Sequence, residues 1–130
     1  MQRQTNWYVI TGGPSSGKTT TVNLLKKRGY ITTFEHARHY LDTQRLKGRN
    51  VEEVRKNQGE FQSGVLDMQI EQENQISPDV QVFLDRAIPD ALAYYHFLNL
   101  PEDEKLTEAL RTVSYKKVFV LDCLPLVKDY

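Results

Sequence analysis

Residues 12–19 read Gly-Gly-Pro-Ser-Ser-Gly-Lys-Thr, and this octet satisfies the phosphate-binding pattern G-x-x-x-x-G-K-[ST] at every fixed position. The glycines at its two fixed positions, Gly12 and Gly17, let the backbone turn where a Cβ would clash, so that successive N–H groups can point at a phosphate. We expect Lys18 near the β- and γ-phosphates of a nucleoside triphosphate and the Thr19 hydroxyl as a ligand of Mg²⁺.

The alternative is a glycine-rich loop that only makes a turn and binds no phosphate. The segments on either side of the octet favour phosphate binding. Trp7–Ile10 is a short apolar run typical of a buried parallel strand, and Lys18–Arg28 has the pattern of a helix, with Gly29 just past its end. A strand, a glycine-rich turn and a helix place the positive helix N-terminus under the anion. The predicted nucleotide-binding residues, with ATP as the expected nucleotide, are Gly12, Gly13, Pro14, Ser15, Ser16, Gly17, Lys18, Thr19 and Thr20.

The composition of the chain narrows the classes of partner. With 130 residues, we expect a single domain over residues 1–130, and 17 basic residues balance 17 acidic ones. A net charge of zero gives no electrostatic reason to expect a nucleic-acid partner. No apolar run is long enough for a membrane span, and Cys123 has no second cysteine to pair with. These features predict a cytoplasmic protein without a membrane partner.

Strand and helix patterns alternate along the rest of the chain. Further strands are predicted at Tyr30–Phe34, Val80–Leu84 and Val118–Leu121. Further helices are predicted at Glu35–Leu46, Val51–Ile76, Pro89–Asn99 and Pro101–Val113. This alternation predicts an α/β fold with a parallel sheet, whose ligands bind at the carboxyl ends of the strands.

Charged residues follow the predicted strands at that edge. Asp85, after the third strand, would hold Mg²⁺ directly or through water, although it could instead cap the next helix. Arg86 could clamp a phosphate or the acceptor, or pair with a surface carboxylate. Asp122 follows the fourth strand. The convergence of these residues with the glycine-rich loop on one edge is a stronger argument than any single residue.

Glu35 and Arg38 follow the second predicted strand, and the sequence allows two roles for each of them. Glu35 could deprotonate a substrate hydroxyl as a general base, or it could be a helix N-terminal charge favoured by the dipole. Arg38 lies three residues on, so that it could pair with Glu35 or bind a substrate phosphate. We therefore expect Lys18, Glu35, Asp85 and Arg86 to be the catalytic residues.

The runs ITGGPSSGKTT, FEHAR and FLDRAIPDALAYYH resemble the P-loop ATPase/kinase-like domain related to the nicotinamide-riboside-kinase part of NadR, an AAA-type ATPase domain. The resemblance covers nearly the whole chain and implies a three-layer P-loop NTPase fold like that of nucleoside and nucleotide kinases. It implies that Lys18 and Thr19 serve phosphate and Mg²⁺, and that Asp85 matches the acidic position at the strand end. The residues that it places on the acceptor side are Glu35, Arg38, Arg86 and Asp90.

Domains of this kind normally continue past the fourth strand into an arginine-bearing lid and a fifth strand. The sequence stops at Tyr130, where the lid should begin, so a C-terminally incomplete domain and a homo-oligomer are expected. Three functions remain open at this point. One is a kinase-like phosphotransferase acting on a small nucleoside- or nucleotide-like metabolite, and the second is a regulatory switch or slow NTPase without an acceptor. The third is an incomplete domain that binds nucleotide weakly and performs no chemistry.

Overall fold

The computed structural model describes residues 3–13, 16–34 and 36–122, and it has α/β architecture. The strands are β1 (Arg3–Gln4), β2 (Trp7–Gly12), β3 (Ile31–Thr32), β4 (Val82–Asp85), β5 (Val113–Ser114) and β6 (Lys117–Leu121). The helices are α1 (Lys18–Lys27), α2 (His36–Leu46), α3 (Val51–Lys56), α4 (Gln58–Gln75), α5 (Ile88–Phe97) and α6 (Glu104–Thr112). The predicted α/β fold is confirmed.

The main sheet is parallel and has the order β3-β4-β2-β6. Ile10 of β2 is in register with Asp85 at the end of β4, and Gly12 at the end of β2 is in register with Leu121 at the end of β6. Both neighbours of β2 therefore end beside the glycine-rich loop. This register explains why residues far apart in the sequence meet at one edge of the sheet.

A second sheet, formed by β1 and β5, was not predicted from the sequence. It is a parallel pair of two residues each, with Arg3 in register with Val113. The Thr5 hydroxyl extends the pairing by donating a hydrogen bond of 2.7 Å to the carbonyl oxygen of Ser114. Strands this short carry no alternation pattern that a sequence analysis could detect.

The single long helix predicted over Val51–Ile76 is wrong, because two helices, α3 and α4, occupy this stretch. Asn57 lies between them with φ −87° and ψ 81°, outside the helical region. Its side chain accepts a hydrogen bond of 3.1 Å from the backbone N–H of Glu60. Asparagine at an N-cap satisfies an N–H that the first turn leaves unpaired, so the break is a cap for α4.

Several predicted element ends also shift. Strand β3 is shorter than the predicted Tyr30–Phe34, and α6 begins at Glu104 instead of at Pro101. Asp103 caps α6 by accepting a hydrogen bond of 2.8 Å from the N–H of Leu106. The cap residue, not the proline, therefore sets where this helix starts.

Three groups of buried apolar residues form the core, and α4 contributes to two of them. Leu66 of α4 packs with residues of α5 and α6, whereas Val65 packs with Tyr40 of α2 and Val54 of α3. The third group lies on one face of the sheet and includes Trp7, Val9, Val82 and Leu84. Helix α4 also buries three polar side chains, Gln62, Gln69 and Glu73.

The contact between α2 and α4 depends on Gly64. A Cβ at this position would overlap the ring of Tyr40, whereas a Cβ at Gly59 of the same helix would meet only the Asn57 side chain at 3.8 Å.

We expect Gly64→Ala to lower the free energy of unfolding by about 1–3 kcal/mol, because the buried ring must move to make room. The control Gly59→Ala should instead be neutral or stabilising by up to about 1 kcal/mol, because alanine favours the helix. Urea denaturation measures both variants. A Gly64→Ala protein as stable as Gly59→Ala would contradict the packing described.

Glu73 is a buried carboxyl group between α4 and the small sheet. The Tyr115 hydroxyl lies 2.8 and 3.0 Å from its two carboxyl oxygens, and Arg3 donates a hydrogen bond of 3.3 Å to its main-chain carbonyl. Burial raises the pKa of Glu73 to about 7, against the lowering effects of Tyr115, of the Ile88 backbone and of Arg3. In the folded protein, Glu73 therefore keeps a proton that the unfolded chain gives up near its ordinary value of 4.5.

This difference has a definite sign, because a raised pKa in the folded state means that stability falls as the pH rises. We expect the free energy of unfolding to fall by roughly 2–3 kcal/mol between about pH 5 and about pH 8, as Glu73 loses its proton in the folded protein. Glu73→Gln should remove that decline, whereas Glu71→Gln, at an exposed position of the same helix, should retain it. Urea denaturation at several pH values measures the three profiles, and parallel profiles for the wild type and Glu73→Gln would contradict the assignment.

Candidate functional site

The glycine-rich loop joins β2 to α1. Gly17 adopts a left-handed conformation with φ 81°, and both the backbone N–H and the hydroxyl of Thr21 donate to its carbonyl oxygen at 2.9 Å. A Cβ at Gly12 would lie 2.7 Å from the Ser16 Oγ and 2.9 Å from the Leu121 carbonyl oxygen. Glycine is thus required at both fixed positions of the pattern, at Gly17 for its backbone angle and at Gly12 for space.

The polar groups at this loop fit a polyphosphate. Ser16 is buried, and its Oγ has no hydrogen-bond partner among the residues that the structure describes. The N-terminus of α1 begins directly after Gly17, with Thr19 and Thr20 exposed in its first turn. An unpaired hydroxyl and a helix N-terminus together favour an anionic ligand with several acceptor oxygens. Pro14 and Ser15, also predicted to bind nucleotide, lie outside the described residues.

Lys18 and Asp85 form a buried ion pair at the end of the sheet. Only 6% and 7% of their respective surfaces are exposed. The register of Ile10 with Asp85 carries the carboxylate to the loop, and the Asp85 N–H donates to the Thr33 hydroxyl at 2.9 Å. Charges as buried as these require partners. If a phosphate binds Lys18 in place of Asp85, Asp85 therefore needs another cation or a hydrogen-bond donor.

A magnesium ion would supply that partner. The part of the chain covered by the structure contains no group of three or more histidine, cysteine, aspartate or glutamate residues that could cage a metal. Mg²⁺ usually binds through one or two protein ligands together with phosphates and water, so this donor set is compatible with it. Thr19 and Asp85 are the residues that would hold it.

Arg86 follows Asp85 in a left-handed backbone conformation, with φ 65°. Its backbone N–H donates to the Ile10 carbonyl oxygen at 3.0 Å, and its guanidinium donates to the Gly12 carbonyl oxygen at 3.1 Å. The guanidinium also donates to the Tyr94 hydroxyl and lies 5.5 Å from the centre of that ring. Arg86 therefore connects the glycine-rich loop to α5.

Asp90, in the first turn of α5, holds the start of this helix against β2. One carboxylate oxygen accepts a hydrogen bond from the Thr11 hydroxyl, and the other accepts one of 2.8 Å from the Ala87 N–H. The carboxylate thus ties α5 to the end of β2. These contacts position the carboxylate beside the loop that follows Thr11.

A cavity of about 220 Å³ lies between α2, α4 and α5. Arg86 and Asp90, both predicted from the sequence, line it. Its other lining residues are His36, Ala37, Phe61, Gln62, Val65, Gln69, Ala91 and Tyr94. Sequence reasoning missed the residues of α4, because its pattern of apolar positions gave no sign that two glutamines would be buried.

Arg38, which was also predicted on the acceptor side, is not part of this lining. Arg38 is exposed and borders a separate depression with Phe34, His39 and Asp42. Glu35 lies outside the described residues, although its neighbour His36 lines the cavity. Burial lowers the pKa of His36, opposed by its hydrogen bond to Gln72. Its ring is therefore neutral near neutral pH.

The sequence pattern of a known protein family, the AAA domain, matches residues 7–130, which include the loop, Asp85 and Arg86. The chain belongs to this family. No curated protein matches the sequence. With the loop geometry described above, the match identifies this AAA domain as a nucleotide-binding P-loop protein. None of the helices within the described ranges is long and apolar enough to cross a membrane.

We expect Lys18→Ala to weaken ATP binding to this AAA domain by about 10–100-fold, because a charge-assisted hydrogen bond to phosphate is lost. Lys26→Ala, at the other end of α1, is the matched control and should bind like the wild type. Calorimetric titration with ATP and Mg²⁺ measures the affinities, and circular dichroism checks that both variants fold. A folded Lys18→Ala protein with unchanged affinity would contradict this assignment.

Proposed function

We propose that this AAA domain is a kinase-like phosphotransferase that passes the γ-phosphate of ATP to a small nucleoside- or nucleotide-like metabolite. The observation that carries the proposal is the position of Arg86, which donates to the Gly12 carbonyl oxygen of the P-loop and also lines the cavity. One side chain thus borders both the phosphate site and a second pocket. A protein that only hydrolyses a nucleotide has no need of such a pocket.

The phosphate side of the reaction would depend on Lys18. Its ammonium would neutralise the β- and γ-phosphate oxygens as charge develops on them. Thr19 and Asp85 would hold Mg²⁺, which would supply further neutralisation of the phosphate charge. The release of Asp85 from Lys18 as nucleotide binds would make the carboxylate available to the metal or its water.

The acceptor side would depend on the residues around the cavity. The acceptor hydroxyl would attack the γ-phosphorus, the bond from this phosphorus to the bridging oxygen would break, and ADP would leave. Glu35 would take the hydroxyl proton as the general base. Arg86 and Asp90 would hold the acceptor in line, with Arg38 as a further phosphate contact.

The relation to the nicotinamide-riboside-kinase part of NadR is also a proposal. It rests on the segment D-R-x-x-P-D, formed here by Asp85, Arg86, Pro89 and Asp90. Three of these residues have structural roles at the site, since Asp85 pairs with Lys18, Arg86 contacts the loop, and Asp90 ties α5 to β2. The segment is therefore more specific evidence than the glycine-rich octet alone.

The backbone of Arg86 offers a test of the proposal. A left-handed conformation costs a non-glycine residue about 1–2 kcal/mol, so Arg86→Gly relieves strain while it removes the guanidinium. We expect stability within about 1 kcal/mol of the wild type and a loss of acceptor-dependent ADP formation of at least about 100-fold. Asn99→Gly is the matched control, because Asn99 has φ 55° and follows the C-terminal end of α5, whereas Arg86 precedes its N-terminal end.

Coupled detection of ADP across a panel of nucleosides measures this activity. ATP hydrolysis that is indifferent to every acceptor would refute the phosphotransferase and favour the regulatory switch. Full transfer activity in a folded Arg86→Gly protein would refute the role given to Arg86.

A further inference from the structure

Tyr94 of α5 contacts the Arg86 side chain in two ways at the wall of the cavity. Its hydroxyl accepts a hydrogen bond from one terminal nitrogen of the guanidinium, and the guanidinium carbon lies 5.5 Å from the centre of its ring. The other terminal nitrogen donates to the Gly12 carbonyl oxygen at 3.1 Å. The guanidinium is therefore held from two sides, by the P-loop and by Tyr94.

The contact between Tyr94 and Arg86 is accessible from outside the protein. Tyr94 has 37% of its surface exposed and lines the cavity, and its hydrogen bond with Arg86 is an exposed one. The adjacent Tyr95 has the opposite surroundings, because it is 3% exposed and packs with Leu66 and Leu106 in the core. Core packing thus explains the tyrosine at position 95 but not the one at position 94.

The two contacts fix the position of the Arg86 side chain without using all of its donors. A guanidinium has five N–H groups, and the hydrogen bonds to Gly12 and Tyr94 use one on each terminal nitrogen. The backbone of Arg86 is fixed as well, since its N–H donates to the Ile10 carbonyl oxygen. An arginine that is held before its substrate arrives loses less side-chain freedom when the substrate binds.

We infer that Tyr94 is a positioning residue of the phosphotransferase, because it holds the Arg86 guanidinium where that group orients the acceptor towards the γ-phosphate. This inference rests on the proposed function and adds a residue to it. Tyr94 acts through Arg86 and not on the nucleotide, which is bound by Lys18 and the P-loop. The loss of its hydroxyl therefore affects the transfer step and leaves the binding of ATP unchanged.

The test measures ADP formation by tyrosine variants of the full chain with ATP and Mg²⁺. The acceptor probes are adenosine, guanosine, cytidine, uridine and nicotinamide riboside, and the variants are compared with the probe that the wild type uses best. We expect Tyr94→Phe to lower kcat by about tenfold, because a hydrogen bond to a charged group is lost. The KM for ATP should stay within about twofold of the wild-type value. Tyr94→Leu, which also loses the ring, should lower kcat by a further factor of about three.

Tyr95→Phe is the matched control, because it removes a hydroxyl from the adjacent residue of the same helix, where the partner is Asp103 at 3.4 Å. Its kcat should equal that of the wild type. In the Arg86→Gly background, assayed at a higher protein concentration, Tyr94→Phe should cause no further loss, because the two residues act as one unit. Circular dichroism checks that each variant is folded.

The outcomes separate this inference from the proposed function. A wild-type kcat in folded Tyr94→Phe, an equal loss in Tyr95→Phe, or a full tenfold loss on top of Arg86→Gly would each overturn the role of Tyr94. A raised KM for ATP with an unchanged kcat would overturn it too, and in all these cases the phosphotransferase would stand. A wild type whose ADP formation is the same with and without every acceptor would refute the phosphotransferase and the inference together.

Discussion

The buried ion pair between Lys18 and Asp85 is the interaction on which the rest of the site depends. It exists because β2 and β4 are parallel neighbours in a register that aligns Ile10 with Asp85. The same register places Arg86 one residue further on, where its N–H bonds to the Ile10 carbonyl oxygen. A sheet order that separated these two strands would remove the ion pair, the arginine contact and the cavity wall together.

The strained backbone of Arg86 lets one side chain contact both the P-loop and α5. A left-handed turn directly after a buried strand end sends the guanidinium back over the Gly12 carbonyl and towards Tyr94. Such strain persists where the surrounding contacts fix it, and it is commonly found at functional sites. Here the contacts come from β2, from the P-loop and from α5, so the arginine is held before any ligand arrives.

The P-loop and the edge residues could be predicted from the sequence, because each depends on local chemistry. Gly17 needs its left-handed angle, Gly12 has no room for a Cβ, and Asp85 ends an apolar strand. The cavity could not be predicted, because Gln69 and His36 become neighbours only when α2 packs on α4. The break at Asn57 was missed because apolar spacing continues across it, while the cap is a side-chain hydrogen bond that spacing does not reveal.

Helix α4 has a consequence that reaches beyond the pocket. Its buried polar residues face two different surroundings, with Gln62 and Gln69 at the cavity and Glu73 one turn later against Tyr115. A rigid rod cannot shift at one of these places without shifting at the other. Binding in the cavity and protonation of Glu73 therefore both act on α4. When the cavity is occupied, amide hydrogen exchange should become slower in the middle of α4 and also in the β1–β5 pair.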